Sequence, residues 1–366
     1  MDNQHLRRLN LKNFRSHEKL ELDFHSNFIF FSGPNGIGKT NILEAISLCS
    51  PGRGLRFANI DELRLISGSG NWHISALFEV EREFLELEIG IERNGKKSVR
   101  VDGKKQPLNN VASILKIIWL TPVMDRLWMG SSNERRRFLD RIVMNFFPDH
   151  PRDCIYYDRA LRQRNLLFKD NQNDDAWFLA IERQMAEIGY RVDLNRRKII
   201  VKLLETQKEN IEPGFFPFLE ANLTPLPFSN SEEFLEELVK NRITDRNSGR
   251  TSIGPHKSDL IVKHSAKNID AKYCSTGEQK SLLLALFIAN ALAISKQFNK
   301  SPIILLDEIL AHLDQENLEN LFNKLKQVKS QIFATGTEKE SFRNWSLDFK
   351  SFDLKSTDEG IKCFVT

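Results

Sequence analysis

The chain has 366 residues, with 53 lysines and arginines against 49 acidic residues and a formal charge of +4. That length can bury a large core and suggests two domains, or one with a big insertion, while the mildly basic balance permits a nucleic-acid surface without demanding one. Cys49, Cys154, Cys274 and Cys363 stand far apart with no C-x-x-C pair, which argues against a zinc site or disulfide framework and fits a reducing cytosol; the polar N-terminus predicts no signal peptide, and no apolar run reaches the ~20 residues of a membrane span.

Leu9 and Leu11, then Leu20, Leu22 and Phe24, alternate with polar residues and predict a β-hairpin over 6–24. Its turn holds Arg15, which is either a phosphate or DNA contact or a solvated tip. Phe28-Ile29-Phe30-Phe31 reads as a buried strand. Gly33-Pro34-Asn35-Gly36-Ile37-Gly38-Lys39-Thr40 follows, and then a helix with Ile42, Leu43 and Leu48 on its apolar side. Strand, glycine-rich loop and helix with the spacing G-x-x-x-x-G-K-T form a phosphate loop. Backbone N–H groups wrap a polyphosphate only where side chains do not block them, hence the glycines. The helix N-terminus adds positive potential. Lys39 is placed to reach the β- and γ-phosphates of ATP, and the Thr40 hydroxyl to ligate Mg2+. Proline and glycine break the helix at 50–57, a loop carrying Arg53 and Arg56; spacing leaves DNA contact and solvation open for both.

Residues 72–102 alternate as antiparallel strands with turns at Asn94-Gly95 and Asp102-Gly103. Residues 114–120 predict a buried strand ending at Thr121-Pro122. Beyond Met124 the pattern becomes helical. Capping residues at 130–133 lead into an arginine-rich helix with Arg135, Arg136 and Arg137, and further cations follow through Lys169. A solvated face and a DNA face both fit them. Asp174 and Asp175 can cap a long helix whose stripe of Trp177, Ile181, Met185, Ile188 and Val192 predicts a packing seam, so that two helices form an antiparallel arm. Residues 211–230 predict a linker or irregular turn, Ser229 and Glu232 have capping-box spacing, and the chain returns to the core near Gly254.

Ile303-Ile304-Leu305-Leu306-Asp307-Glu308 reads as a central parallel strand that delivers two carboxylates at its C-terminal edge. Asp307 is the candidate magnesium ligand and Glu308 the group that orients or deprotonates water. Upstream, Ser275-Thr276-Gly277-Glu278-Gln279-Lys280 opens an apolar helix over 282–294 and makes a second anion-type N-terminus. A chain with a complete phosphate loop needs no second one in the same pocket. The economical reading is that the loop with Ser275, Gly277 and Glu278 faces the γ-phosphate bound by another copy.

With these motifs in this order, the chain resembles an α/β ABC-type ATPase of the SMC-like branch, and is similar end to end to the RecF family. The resemblance is carried by Leu11-Lys12-Asn13-Phe14-Arg15-Ser16, the phosphate loop, Gly52-Arg53-Gly54-Leu55-Arg56 and Glu134-Arg135-Arg136-Arg137-Phe138-Leu139-Asp140. It continues through Gly254-Pro255-His256-Lys257-Ser258-Asp259-Leu260, 275–280, Leu305-Leu306-Asp307-Glu308 and Leu313-Asp314. It implies an ATPase head over 1–121 and 255–366, with mixed sheet and P-loop core, and an inserted helical arm over 122–254. It also implies a homodimer formed when ATP is sandwiched between one copy's phosphate loop and the other's Ser275 signature and Asp314. Such proteins bind single-stranded and gapped duplex DNA, work with RecR and RecO to place recombinase, support replication restart and the SOS response, hydrolyse ATP slowly and are cytoplasmic. The chain departs from the family pattern at Ala311-His312 before Leu313, at Lys257-Ser258, and after Pro122, where no lid glutamine stands. An energy-coupling subunit of a membrane transporter is the alternative and a small-molecule kinase a third reading. The helical insertion and the absence of a switch histidine at Thr335-Gly336-Thr337 weigh against the transporter; a kinase would leave 275–280 without a purpose.

Overall fold

The computed structural model describes residues 2–65, 70–92, 94–170, 172, 174–210, 216–308, 313, 315–337, 349–357 and 360–365. The chain divides into two compact units, Met1–Asp125 with Phe287–Thr366, and Arg126–Leu286.

The first unit is built on two sheets. One has the order Gly360–Val365 (β16), Phe349–Thr357 (β15), Phe28–Ser32 (β3), Ile332–Gly336 (β14), Ile303–Leu306 (β13) and Ile117–Leu120 (β8). All its pairs are parallel except β15 with β16. Every residue of β3, β8, β13 and β14 is buried; this is why these strands read as unbroken apolar runs, as expected of parallel strands covered on both faces. Lys39–Ser47 (α1) follows β3, and Gln315–Val328 (α8) stands between β13 and β14 in sequence. The second sheet runs Lys300–Ser301 (β12), Asp2–Phe14 (β1), His73–Val80 (β4), Glu83–Ile91 (β5), Lys97–Val101 (β6) and Lys104–Lys105 (β7), with His17–Asp23 (β2) also paired to β1. The expected hairpin is the β1–β2 pair, its last rung Phe14 opposite His17. One face of β4 is buried, residue by alternate residue. Phe24 sits edge-on to Phe333, with ring centroids 5.0 Å apart, and to Phe352 at 5.6 Å.

The second unit contains Ser132–Val143 (α2), His150–Lys169 (α3), Asp175–Asn210 (α4), Ser231–Lys240 (α5) and Arg242–Ser248 (α6), with a sheet of Ile269–Asp270 (β11), Leu260–His264 (β10) and Leu219–Leu223 (β9). Ser131 and Glu134 close a capping box on α2, and the Asp174 carboxylate accepts from the Ala176 and Trp177 N–H groups at the start of α4. Tyr157, Leu167 and Phe168 of α3 join Phe178, Ile181, Met185 and Ile188 of α4 in one apolar cluster. The seam tolerates only glycine at Gly189, where a Cβ would come within 2.7 Å of the Tyr157 ring and 2.8 Å of Phe234. Inside it, the buried Arg164 bridges Glu182 at 3.0 Å and Asp245 at 2.6 Å and donates to the Leu238 carbonyl. Among described residues no charge in that cluster is left unpaired, which is what makes burial of three ionised groups tolerable.

Four expectations are corrected. Trp177 is 53% exposed, and Phe178, one position on, begins the buried stripe. The stretch read as a linker or irregular turn contains β9, paired antiparallel with β10. The cap of α5 is Asn230 with Glu233, one residue later than the spacing suggested. Residues 254–286 group with the second unit, so the boundary near Gly254 is not where the compact units divide. Arg196 explains this locally: it grips Asp140 of α2 with two hydrogen bonds and donates to the Pro255 carbonyl and the Ser258 hydroxyl.

The apolar helix expected over 282–294 lies inside Thr276–Phe298 (α7). By length and composition α7 alone among the described helices could cross a membrane, yet 72% of its most apolar window is buried inside the protein, as in a core helix.

Candidate nucleotide site

Gly33 to Gly38 join β3 to α1 with glycine at the positions the backbone demands. Gly33 has φ 143°, and a Cβ there would lie 2.7 Å from the Leu354 carbonyl oxygen. Gly38 has φ 105°, with its Cβ position crowded by the Ser16 hydroxyl and by His17 Nε2 at 2.8 Å. The His17 ring in turn donates from Nε2 to the Gly38 carbonyl at 3.2 Å, so the β1–β2 turn buttresses the loop from outside. Gly36, at φ 80°, has open space around it.

Lys39 folds back over the loop and donates to the Gly33 and Pro34 carbonyls at 2.7 and 3.0 Å. Burial lowers its pKa, against the opposing pull of Glu308 and Asp307. Thr40 Oγ1 donates to Asp307 Oδ1 at 2.8 Å. The same carboxylate oxygen accepts from Thr335 Oγ1 at 2.9 Å, and the Thr335 hydroxyl accepts the Glu308 N–H at 3.0 Å. Burial raises the pKa of Asp307, and the Thr40 and Thr335 hydroxyls hold it back. Glu308 turns at φ 51°, just beyond β13. Lys39, Thr40, Asp307 and Glu308 line one cavity of about 650 Å³ with Asn35, Gly36 and Gly38. An ammonium and loop N–H groups on one side, and a hydroxyl and carboxylate oxygen on the other, fit a polyphosphate and a hard divalent cation such as Mg2+.

Sequence reasoning missed Thr335. The β13–β14 register, Leu306 opposite Ala334, carries it beside Asp307. It also missed Glu44. This fully buried carboxylate on α1 takes Arg15 in a bidentate pair at 2.7 and 2.8 Å, with Arg56 Nη1 at 3.5 Å. Arg15, expected as a DNA or phosphate contact, is thus held inward by the helix that follows the phosphate loop. Arg56 lines the cavity and donates to Asn41 at 2.7 Å, and Arg53 hydrogen-bonds the Asn59 side chain. Arg135 likewise does not stand free: it clasps Asp259 at 2.7 and 2.8 Å and donates to the Gly130 carbonyl. Arg136 donates to the Ser258 carbonyl at 2.7 Å; of these three, Arg137 is the exposed one.

In the second unit, the Ser275 N–H and hydroxyl both donate to Glu278 Oε2 at 2.9 Å, and the Glu278 N–H returns to Ser275 Oγ at 3.4 Å. This is a capping box at the start of α7. Lys267 pairs with the other oxygen of Glu278, and these bonds, Lys267 first, draw its pKa down to about 2. Ser275, Thr276 and Gly277 are exposed. Glu278 therefore orders the loop through its carboxylate, while Ser275 and Gly277 present the surface. Asp314, with Ala311 and His312, lies outside the described residues.

A phosphate loop on a parallel strand, a second parallel strand of the same sheet, one strand removed, followed by two acids, and an antiparallel sheet in the same unit define an SMC-like, ABC-type ATPase head. The RecF/RecN/SMC N terminal domain family matches residues 5–357. Over 352 residues the chain is 40% identical to the DNA replication and repair protein RecF of Mesorhizobium japonicum, covering 92% of this chain and 93% of that protein. Over 369 residues it is 37% identical to the protein of the same name from Brucella suis biovar 1, covering 97% and 96%. A solved structure of the recombination mediator protein RecF-ATP in the RecFOR pathway shares the fold at TM-score 0.86 and 23% identity, covering 99% of this chain and 98% of that one. The chain belongs to the RecF family. That membership does not favour the transporter alternative.

Proposed function

We propose that this chain is an ATP-dependent DNA-binding clamp of recombinational repair. The observation that carries the reading is the convergence of Lys39, Thr40, Asp307 and Glu308 on one cavity, in a chain of this family. In it, Lys39 and the loop N–H groups hold the nucleotide phosphates. Thr40 and Asp307 supply oxygens to Mg2+, which when bound offsets phosphate charge. Glu308 orients the attacking water and takes its proton, and Thr335 fixes both acids. Ser275 and Gly277 cap the γ-phosphate held by a second copy, so ATP closes a homodimer and slow hydrolysis reopens it. The clamp binds single-stranded and gapped duplex DNA and works with RecR- and RecO-type partners in the cytoplasm to load recombinase.

Sedimentation of the Glu308→Gln variant tests this. With ATP and magnesium it sediments as a dimer and binds gapped duplex in a salt-sensitive manner; without ATP it is a monomer. A monomer at saturating ATP contradicts the clamp.

A further inference from the structure

Outside the nucleotide site, the second unit carries a cavity of about 570 Å³ formed where the end of α3 meets the end of α6. Arg162, Lys169, Arg246 and Arg250 line it, and no aspartate or glutamate is among its described lining residues. Lys169 and Arg246 stand in the last turns of their helices, where a cation answers the helix dipole in any case. Arg162 lies two turns before the end of α3, and Arg250 follows the left-handed cap Gly249, so neither has that reason. Arg246 is preset: Nη2 donates to the Gln172 carbonyl at 2.9 Å and the guanidinium lies 5.9 and 5.7 Å from the Phe168 and Phe178 ring centres. Asn165 gives its carbonyl to the Thr251 N–H and hydroxyl, both at 2.8 Å, which leaves its NH2 group as the end available to the groove.

The cavity does not stand alone. Arg152, Arg159, Arg162 and Lys169 share one exposed face of α3, a row about 25 Å long at ~1.5 Å per residue, in which Arg152 pairs with Asp149 at 3.2 Å and Arg162 Nε donates to the carbonyl of the exposed Asp158 at 3.1 Å. Ile155, Tyr156 and Leu166 are exposed on α3 among them. A row of cations interleaved with apolar side chains suits a polymer with regularly spaced phosphates and apolar sugar and base faces better than a single small anion.

We propose that the outer face of α3 and the cavity at its end form a track for the backbone phosphates of a nucleic-acid strand. This rests on the DNA-binding reading above and adds where on the second unit the strand lies. Arg162, Lys169 and Arg250 are the phosphate contacts, and Arg246 orders the wall.

The test compares gapped-duplex binding across a salt series for the wild-type chain, an Arg162→Ala/Lys169→Ala/Arg250→Ala variant, and an Arg82→Ala/Lys96→Ala/Lys104→Ala control that removes as much exposed charge from the first unit. Circular-dichroism melts are measured alongside as a readout of folding in both units, with ATP affinity reporting on the first. The track variant should keep its ATP affinity, bind DNA at least about tenfold more weakly near ~100 mM salt, and show a salt slope shallower by roughly 2–3, at ~0.9 for each phosphate no longer neutralised. The control should match the wild type. If the triple variant does not fold, Lys169→Ala alone should make the slope shallower by about one. Unchanged DNA affinity and slope in a folded track variant, or an equal loss in the control, overturns the track and leaves the DNA-binding reading standing. A wild-type chain that binds no DNA overturns both. Competition by polyglutamate as effective as that by single-stranded DNA of equal charge would reassign the face to an acidic protein and overturn the nucleic-acid track.

Discussion

Asp307 Oδ1 is the hinge of the nucleotide site at the scale of single residues, because two hydroxyls share it. Thr40 brings it to the phosphate loop and Thr335 brings it to the backbone of Glu308. A hydrogen bond to a charged group contributes about 1.5–3 kcal/mol, and under the proposed mechanism Thr335 acts on the position of the acids, not on the phosphates. Thr335→Val should therefore leave ATP affinity within about threefold while turnover falls by roughly 10- to 100-fold. Equilibrium nucleotide binding beside steady-state hydrolysis checks this; a matched loss of both would place Thr335 in binding instead. The contrast with Lys39 shows what the sequence makes legible. Lys39 and Thr40 are set by spacing within eight consecutive residues, so they can be read without the fold. Thr335 reaches its place through a parallel register between strands, and Arg135 through a partner 124 residues away. No local pattern marks either. An arginine-rich run looks the same whether its guanidinium groups meet solvent, phosphate or a distant aspartate.

Among the elements, the segment from Gly254 to Asp259 acts as a tie rather than as a loop. Tyr157 on α3 donates its hydroxyl proton to His256 Nδ1 at 2.8 Å, and His256 Nε2–H donates to the Thr251 carbonyl at 3.1 Å. The carbonyl can only accept, which fixes the neutral tautomer. Burial pulls the His256 pKa down to about 4 from its ordinary 6.5. Between those values the unfolded chain binds a proton that the native chain refuses. The contribution is whole above about pH 6.5, drains as pH falls toward 4, and levels below that, amounting to roughly 3 kcal/mol. Thermal melts of wild type and His256→Gln across that window should show the wild type losing more stability on acidification than the variant. Parallel pH profiles would remove His256 as the cause. The helical stripe of α4 is periodic enough to be read in advance; β9 is not, because five residues beside prolines and phenylalanines become a strand only when β10 offers an edge.

For the whole molecule, each unit has its own chemistry: the first carries the phosphate loop and the acids, the second the Ser275 cap and the cationic face of α3. The elements of the ATPase head were legible in the sequence because its parallel strands are apolar throughout and its motifs are short. The division between units was less so, since chain order near Gly254 says nothing about which neighbours a segment packs with. The proposed clamp requires that a working site take its phosphate loop from one copy and its Ser275 cap from another. Mixing two inactive variants tests that requirement most directly. Lys39→Ala lacks the loop lysine and Ser275→Arg blocks the cap, and each alone should be inert on gapped DNA. A mixed dimer would hold one site with both lesions and one with neither. Turnover should therefore reappear on mixing and approach about one quarter of the wild-type rate, since about half of randomly paired dimers are mixed and each has one of two sites intact. Full activity of Ser275→Arg alone, or mixtures that stay inert although the two variants copurify as dimers, would contradict the shared site.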